Sequence, residues 1–262
     1  MTEDGLEILN ATSNCPYGKC DGSGLMHLVN KDKTEFARTC DCIVTRHYQR
    51  KIQSAKIPDE YKNVSVNSFD TNIYVNQRDK QKALYAKRVA IKYVEMFTDM
   101  KDKGKGLFLY SNTKGSGKTH LAISITNALI KKYDVESLYI SSVNLLNEVK
   151  KTFQEKSENG TYELVNTFKR VPLLVIDDLG VENVTRWSEE MLTQILDERL
   201  GFKRPTIITS NFSFEELSRE YPAGRVGSRI EKMTFPIPMP EESVRLLKAQ
   251  QENEELARLF FK

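Results

Sequence analysis

The sequence predicts an α/β protein in which a parallel β-sheet is flanked by helices and a small cysteine-rich module precedes it. Three observations support this fold class. A short apolar run at 106–110 leads through a glycine-rich stretch into a helical pattern. Two further runs, at 173–176 and 205–210, have the continuous hydrophobicity of strands that are buried on both faces. All four cysteines lie among the first 42 residues.

The composition is that of a folded protein. Apolar residues make up 39% of the 262 positions and charged residues 29%, which excludes disordered and low-complexity classes. The net charge is only 39 − 36 = +3, so any contact with nucleic acid has to be local. No apolar stretch approaches the ~20 residues of a membrane span. The acidic N-terminus does not fit a secretory signal, and we expect a cytoplasmic protein with no membrane association.

The cysteines predict a zinc site. They follow the pattern C-x4-C, nineteen residues, then C-x-C, and four thiolates satisfy the tetrahedral preference of Zn²⁺. Nearby glycines at 18, 22 and 24 favour the tight turns of a metal-binding knuckle. Reduced cysteines without metal are the alternative, and His27 or His47 are possible substitute ligands. The predicted zinc ligands are Cys15, Cys20, Cys40 and Cys42.

The first domain boundary is expected near residue 55. The stretch VTRHYQRKIQSAK after Cys42 has helical periodicity and stops at Ile57-Pro58, because proline disfavours a helical residue before it. This divides the chain into domains 1–55 and 56–262. A second long helix is predicted from Gln77 to Met100.

A phosphate-binding loop follows the run at 106–110. The pattern G-x4-G-K-[ST] is matched by Gly117, Lys118 and Thr119, but Asn112 occupies its first position. Asparagine tolerates a positive φ, so we expect the loop to close. Backbone amides would hold phosphate, Lys118 would contact the β and γ oxygens of ATP, and Thr119 would bind Mg²⁺. The predicted nucleotide-binding residues here are Asn112, Thr113, Lys114, Gly115, Ser116, Gly117, Lys118, Thr119 and His120.

Two other strands are expected to end at the same site. The run at 173–176 leads into Asp177 and Asp178, which predicts Mg²⁺ binding by Asp177 and activation of the attacking water by Asp178. An acidic turn without a catalytic role is the alternative. The run at 205–210 leads into Asn211, whose amide can orient water near the γ-phosphate. Farther along, Arg225 and Arg229 lie four residues apart on a predicted helix, where surface salt bridging is the alternative to a catalytic role.

The sequence resembles the DnaC/DnaI family of replicative helicase loaders, which belongs with the IstB transposase helpers to one group of AAA+ ATPases. The resemblance rests on the cysteine pattern, the junction Ile57-Pro58-x-x-Tyr61, and the motifs GSGKTHLA, LLVIDDLG, TIITSNFS and GRVGSRI. It implies an AAA+ P-loop ATPase fold with a truncated lid, a sensor role for Asn211, and self-association into an ATPase oligomer. Arg229 would then reach a neighbour's nucleotide.

The resemblance also implies contacts with DNA. Two helical stretches between Tyr139 and the strand at 173–176 are similar to the family's insertion, and Lys150, Lys151 and Phe153 look like its single-stranded-DNA contact. Burial of Phe153 with Leu145, Leu146 and Val149 is the alternative. Ser243-Val244-Arg245 is similar to the family's closing S-x-R element, with no role assigned to Arg245.

The function implied is ATP-dependent loading of a hexameric replicative helicase onto single-stranded DNA. The N-terminal zinc module would bind the helicase, and the ATPase domain would bind ATP, Mg²⁺ and DNA. An IstB-like transposase helper is the alternative in which the ATPase motifs are the same and the DNA is duplex. A small-molecule kinase would leave the SNF and GSR segments without a role. The sequence leaves open the cognate helicase, its host, the stoichiometry, and a phage or chromosomal origin.

Overall fold

A computed structural model describes residues 6–154, 158–221 and 223–260. The chain divides into two compact units, Met1–Gln53 and Ser54–Lys262. Among the helices of the described residues, none is both long and apolar enough to cross a membrane.

The first unit is a small antiparallel sheet followed by a helix. Its elements are β1 (Glu7–Ile8), β2 (Leu25–Val29), β3 (Glu35–Thr39) and α1 (Cys42–Ser54), and β2 lies between the other two strands. Alternation along β2 buries Met26 and Leu28, as expected for a strand with one covered face. These two residues form a hydrophobic cluster with the four cysteines, and Leu6 and Ile8 pack against it.

The four cysteines converge as the sequence predicts. All four are buried and their sulfur atoms lie within 4.8 Å of one another, with Cys15 Sγ 3.7 Å from Cys40 Sγ and Cys20 Sγ 3.4 Å from Cys42 Sγ. Tetrahedral zinc with Zn–S bonds of ~2.3 Å separates its sulfurs by about 3.8 Å, so the cluster is consistent with a zinc module. The suggested substitutes, His27 and His47, are not part of this cluster.

Turns beside the cysteines depend on glycine. Gly22 has φ +98, and a Cβ there would lie 3.1 Å from the Asn14 Cβ. Its amide donates to Cys20 Sγ at 3.4 Å, and Arg46 Nη2 donates to Cys42 Sγ at 3.1 Å. These donors would offset part of the negative charge of a four-thiolate centre.

The second unit is built on a five-stranded parallel sheet with strand order β5-β6-β7-β4-β8. The α/β class is therefore confirmed. The strands are β4 (Gly106–Tyr110), β5 (Ser137–Ser141), β6 (Leu173–Leu179), β7 (Thr206–Ser210) and β8 (Thr234–Pro238). The helices are α2 (Gln77–Glu95), α3 (Phe97–Lys103), α4 (Lys118–Tyr133), α5 (Ser142–Gln154), α6 (Glu158–Arg170), α7 (Arg186–Gly201), α8 (Phe214–Glu220), α9 (Arg225–Met233) and α10 (Val244–Phe260).

Each face of this sheet is covered by its own hydrophobic core. Leu107 and Leu109 of β4 pack with α2 and α4, whereas Phe108 packs with α5–α9 on the other face. Alternate residues of the central strands thus enter different cores, which explains why the runs in the sequence are continuously apolar. The parallel arrangement brings the carboxyl ends of β4, β6 and β7 to one edge.

The predicted helix from Gln77 to Met100 is wrong as a single element. It is broken at Met96, which has φ −100 and ψ 19 and separates α2 from α3. The hydroxyl of Tyr133 lies 2.8 Å from the Val94 carbonyl and 2.9 Å from the Glu95 carbonyl, next to the break. A side chain from α4 therefore interacts with the end of α2, which local periodicity does not reveal.

We expect one zinc ion per chain because the first unit is too small to fold on its apolar core alone. Elemental analysis of protein purified without chelator should give about one equivalent of zinc, and Cys40→Ser should lose it. Chelation should unfold the first unit, as measured by near-ultraviolet circular dichroism. His27→Ala is the matched control and should retain the metal. Less than about half an equivalent of zinc in the unsubstituted protein would contradict the prediction.

Candidate nucleotide-binding site

The loop between β4 and α4 has the backbone conformation of a phosphate cradle. Gly115 and Gly117 have φ +79 and +93. A Cβ at Gly117 would lie 3.0 Å from both Phe69 Cε2 and Tyr74 Oη, and one at Gly115 would lie 2.7 Å from Ser243 Oγ. Both positions therefore require glycine for conformation and for space. Helix α4 begins at Lys118, so its free amide groups face the loop.

The expectation that Asn112 adopts a positive φ in the phosphate loop is wrong. Asn112 is not among the described residues with positive φ, so the loop does not use the left-handed conformation there. When its amide nitrogen faces acceptors, it donates to Glu216 Oε2 at 3.2 Å and to the Asn211 carbonyl at 3.1 Å. Asn112 thus joins the loop to the segment that follows β7. The backbone conformation at this position does not require glycine.

Lys118 is nearly buried, with 4% of its surface exposed. Its Nζ donates to the carbonyls of Ser111 at 3.1 Å and Thr113 at 2.8 Å. Burial lowers the pKa of this ammonium, and the nearby carboxylates of Asp178, Glu241 and Asp177 oppose the shift. Within the described part of the chain, the direct partners of this cation are neutral carbonyl and hydroxyl groups, including Ser116 Oγ at 3.4 Å. Such a cation is suited to exchange these contacts for phosphate oxygens.

Asp177, at the end of the buried part of β6, accepts hydrogen bonds from three hydroxyl groups. Thr119 Oγ1 lies 2.9 Å from Oδ1, Thr209 Oγ1 lies 2.6 Å from the same oxygen, and Tyr139 Oη lies 2.7 Å from Oδ2. The donors come from α4, β7 and β5. Only 5% of Asp177 is exposed, so these bonds replace the water that the carboxylate has lost.

Thr119 and Asp177 together fit the magnesium site that the sequence predicts. One hydroxyl and one carboxylate lie in direct contact beside the phosphate loop, and such oxygen ligands are the ones that Mg²⁺ prefers. With Mg²⁺ bound to ATP, Thr119 would be a direct ligand and Asp177 would act through a water molecule.

Asp178 has a left-handed backbone conformation with φ +52. Its amide donates to Thr209 Oγ1 at 2.9 Å, which fixes the turn after β6. Burial and the charge of Asp177 raise the pKa of the Asp178 carboxyl, while Lys118, Arg245 and Lys114 oppose the increase. A raised pKa makes this carboxylate a stronger base, as the proposed activation of water requires.

Glu182 also stabilises the turn after β6. One of its oxygens accepts from the Gly180 amide at 2.9 Å and lies 2.6 Å from Ser142 Oγ, the first residue of α5. Its other oxygen accepts from Tyr221 Oη, immediately after α8. The motif reading of the sequence gave Glu182 no role, because its partners lie on segments far apart in the chain.

A cavity of about 650 Å³ lies above the loop. The predicted residues that line it are Lys114, Gly115, Ser116, Gly117, Lys118, Thr119, His120, Asp178 and Asn211. Asn112, Thr113 and Asp177 do not line it and act through neighbours: Thr113 and Asp177 contact Lys118 and Thr119, and Asn112 contacts Asn211.

Two residues that line this cavity each carry a polar atom that has no hydrogen-bond partner among the described residues. Asn211 Oδ1 and His120 Nδ1 are buried without a hydrogen bond. Burial and the charge of Lys248 lower the pKa of His120, which favours the neutral imidazole. Buried polar groups normally find partners, so these atoms point to a polar ligand or ordered water in the cavity.

Several residues of the cavity were not assigned to it from the sequence. Tyr61, Phe69 and Tyr74 precede α2, and Tyr74 Oη donates to the Ser116 carbonyl at 2.9 Å. From the other end of the unit, the Val244 amide donates to the Gly115 carbonyl at 2.9 Å, and Arg245 reaches the cavity. In the sequence, Arg245 could be related to the site only through its resemblance to the S-x-R element. Of the three aromatic residues, only Tyr61 belongs to a motif, the Ile57-Pro58-x-x-Tyr61 junction.

Arg229 and the insertion residues lie outside this cavity. Arg229 donates to Asp197 from Nε at 2.7 Å and from Nη2 at 3.2 Å. On α5, Phe153 is 54% exposed, so it does not share the burial of Leu145, Leu146 and Val149. Its ring meets the edge of Trp187 at a centroid distance of 6.4 Å, and Lys150 Nζ lies 5.0 Å from the same indole ring.

The chain is similar in sequence to known proteins. The "uncharacterized protein YqaM" of Bacillus subtilis (strain 168) is 27% identical over 206 residues, which cover 77% of this chain and 62% of that protein. The replicative helicase loader DnaC of Escherichia coli (strain K12) is 34% identical over 130 residues, covering 50% of this chain and 51% of DnaC. The chain thus matches between half and two thirds of the length of these curated relatives.

A solved structure has the same fold. The crystal structure of DnaI matches with a TM-score of 0.58 and 30% identity, covering 70% of this chain and 94% of that one. The AAA+ architecture expected from the sequence is therefore confirmed. Residues 25–230 match the family described as IstB-like ATP binding protein, which is more than half of the chain. The chain therefore belongs to the family of IstB-like ATP-binding proteins and is related to the DnaC and DnaI helicase loaders.

Proposed function

We propose that this protein is an ATPase that loads a hexameric replicative helicase onto single-stranded DNA. The observation that carries the proposal is the combination of the nucleotide cavity with a four-cysteine module in one chain related to DnaC and DnaI. The cavity supplies an ATP-dependent step, and the module supplies a separate surface for a protein partner.

Hydrolysis would follow from the charges around the cavity. Backbone amides of the loop and Lys118 neutralise the phosphates, while Thr119 and Asp177 hold the Mg²⁺ that accompanies ATP. Asp178 accepts a proton from the attacking water, and Asn211, which lines the same cavity, orients that water. Arg245 lies near enough to Asp178 to influence its pKa, and we assign it to the γ-phosphate of its own chain.

Arg229 would act on a neighbouring subunit. It lies outside its own cavity on α9, where its bidentate contact with Asp197 fixes the guanidinium at the surface. An arginine held in this way is suited to complete another subunit's phosphate site. Arg225, at the start of α9, is the second candidate.

The insertion would bind single-stranded DNA. Phe153 is half exposed and Lys150 is exposed beside Trp187, so a cation and two aromatic rings are grouped at one end of α5. Aromatic rings stack on bases, and lysines neutralise phosphates. Lys151 lies on the same turn and is included in the proposed contact.

The first unit would bind the helicase through apolar residues beside the cysteines. Tyr17, Ile43 and Val44 are 49%, 44% and 69% exposed, and Tyr17 Oη lies 2.9 Å from Thr45 Oγ1. Exposed apolar residues on a metal-stabilised module are typical of a protein-binding surface.

Transposase assistance is the second candidate, because the matching family is described as IstB-like. That function would require duplex DNA and no replicative helicase. The four-cysteine module favours the loader.

Lys118→Ala should abolish detectable ATP binding, since it removes the buried cation, whereas Asp178→Asn should bind ATP and lose hydrolysis by about 10²-fold or more. Fluorescent-nucleotide titration and phosphate release measure the two effects. Lys132→Ala, an exposed lysine at the other end of α4, is the control and should behave as the unsubstituted protein. Hydrolysis at the normal rate by Asp178→Asn would remove it from the catalytic role.

The full chain should retain a hexameric replicative helicase in pull-down assays with purified helicases. Val44→Asp should weaken this binding by placing a charge on the proposed surface, while its zinc content stays unchanged. Val75→Asp is the matched control, because Val75 is 80% exposed but belongs to the second unit. If no helicase binds, or if duplex DNA binds more tightly than single strands, the transposase-helper function is favoured instead.

Single-stranded DNA binding should respond differently to the two kinds of residue. Lys150→Ala should reduce the slope of log affinity against log salt by about 0.7, whereas Phe153→Ala should weaken binding by about 1–3 kcal/mol with little change in slope. Since Phe153 is half exposed, its replacement should leave the melting temperature nearly unchanged. Labelled oligonucleotides titrated at several salt concentrations measure both quantities.

The matched control is Phe202→Ala, because Phe202 is also exposed and has the cation of Arg204 4.9 Å from its ring centroid. Its replacement should not alter DNA affinity. Unchanged affinity in both Phe153→Ala and a Lys150→Ala/Lys151→Ala double variant would rule out this contact.

A further inference from the structure

A second concave surface lies at the sheet edge formed by β8, away from the nucleotide cavity. Helices α2 and α3 face β8 across a space of about 640 Å³, which we name the α2–β8 groove. Tyr85, Met96 and Phe235 line it and are 38%, 47% and 48% exposed. Partly exposed apolar side chains grouped in one concave surface make the groove a candidate binding site.

The charges around this groove are of one sign. Arg88, Lys92 and Lys103 line it, and its described lining includes no aspartate or glutamate. Lys92 is paired with Glu95, which does not line the groove, at 2.7 Å. An occupant with apolar residues next to carboxylates would complement both properties of the groove.

The C-terminal half of α10 has those two properties. Leu256, Leu259 and Phe260 are 45%, 70% and 75% exposed and follow helical spacing on one face. Glu252 and Glu255 lie on the same face, one turn before Leu256 and Leu259. An amphipathic helix whose apolar face lacks a partner is a candidate for docking into an apolar groove.

The positions of the groove and of α10 relate both surfaces to the proposed contact of Arg229 with a neighbouring subunit's nucleotide cavity. Helix α10 begins at the nucleotide cavity, where Val244 bonds to the loop and Lys248 lines the wall. From Lys248 it extends about 18 Å further, at 1.5 Å per residue. In a neighbouring subunit, Arg229 lies on α9, and that helix leads without a linker into β8 and Phe235. Because Arg229 and Phe235 lie close together in the chain, a subunit that presents Arg229 to a neighbour's cavity would have its α2–β8 groove within reach of that neighbour's α10.

We propose that the C-terminal half of α10, residues 249–260, docks into the α2–β8 groove of a second copy of this chain. Leu256, Leu259 and Phe260 enter the groove, and Glu252 and Glu255 face its cations. The contact rests on the self-association proposed above and gives that association a second anchor, beside the one made by Arg229.

Substitutions on α10 test the contact without disturbing the fold, because the side chains concerned are exposed. Leu259→Asp should weaken self-association by about tenfold or more, measured by sedimentation velocity of the full chain with a non-hydrolysable ATP analogue. Arg258→Ala, on the other side of the same turn, is the matched control and should associate normally. Equal association of Leu259→Asp and the unsubstituted chain would overturn the proposal.

Charge reversal identifies the occupant as a second copy. A groove variant, Arg88→Glu/Lys103→Glu, and a helix variant, Glu252→Lys/Glu255→Lys, should each associate poorly alone because like charges meet. Mixing the two should restore association, since the reversed groove accepts the reversed helix. If each variant associates normally by itself, or if the mixture stays dissociated, the helix does not dock into the groove of a second copy and the proposal is overturned.

Single-stranded DNA is the other occupant that a cationic groove with aromatic residues would accept. Loss of DNA affinity in the groove variant with unchanged self-association would overturn the proposal in favour of DNA. Failure of the wider proposal is recognised separately by mixing Arg229→Ala with Lys118→Ala subunits. Recovery of ATPase activity without the α10 contact would reject only that contact, whereas loss of both would reject self-association itself.

Discussion

The nucleotide site depends on the buried carboxylate of Asp177. Its burial is tolerated because Thr119, Tyr139 and Thr209 each donate a hydroxyl to it. Thr119 lies on α4, the helix after the phosphate loop. Tyr139 and Thr209 lie on β5 and β7, the two strands that flank β6 in the sheet. One charged group therefore fixes the start of α4 relative to three strands, and the distance between the phosphate loop and Asp178 follows from it. Loss of a donor would remove part of the hydrogen bonding that compensates this buried charge.

The sequence predicts the parts of the site that lie within short segments. The loop at 112–119 and the aspartates after β6 are recognisable because the chemistry and the spacing coincide in a few residues. Tyr74, Glu182 and Glu241 could not be predicted in this way. Glu241 accepts from Ser111 Oγ at 2.9 Å and from Thr113 Oγ1 at 3.2 Å, across more than a hundred residues of chain. Such contacts depend on tertiary packing, which leaves no periodic signal.

Asn112 and Phe153 show that motifs and periodicity also leave local details open. Asn112 replaces a glycine in the motif, yet the motif does not say which of its positions needs positive φ, and here these are Gly115 and Gly117. Phe153 continues the apolar spacing of Leu145, Leu146 and Val149, but it lies on the last turn of α5 and is half exposed. Periodicity gives the face of a helix on which a residue lies and does not give the point where the core ends.

Glu182 gives the turn after β6 a mechanical property. Its two carboxylate oxygens bond to the Gly180 amide, the Ser142 hydroxyl and the Tyr221 hydroxyl. The segments that contain these three residues are therefore joined through one carboxylate. Ser142 is the first residue of α5, and Tyr221 lies between α8 and α9, the helix that carries Arg229. Moving this turn away from either segment would break a buried hydrogen bond to the Glu182 carboxylate. One side chain that does not line the nucleotide cavity thus holds together the turn after β6, the start of α5 and the end of α8.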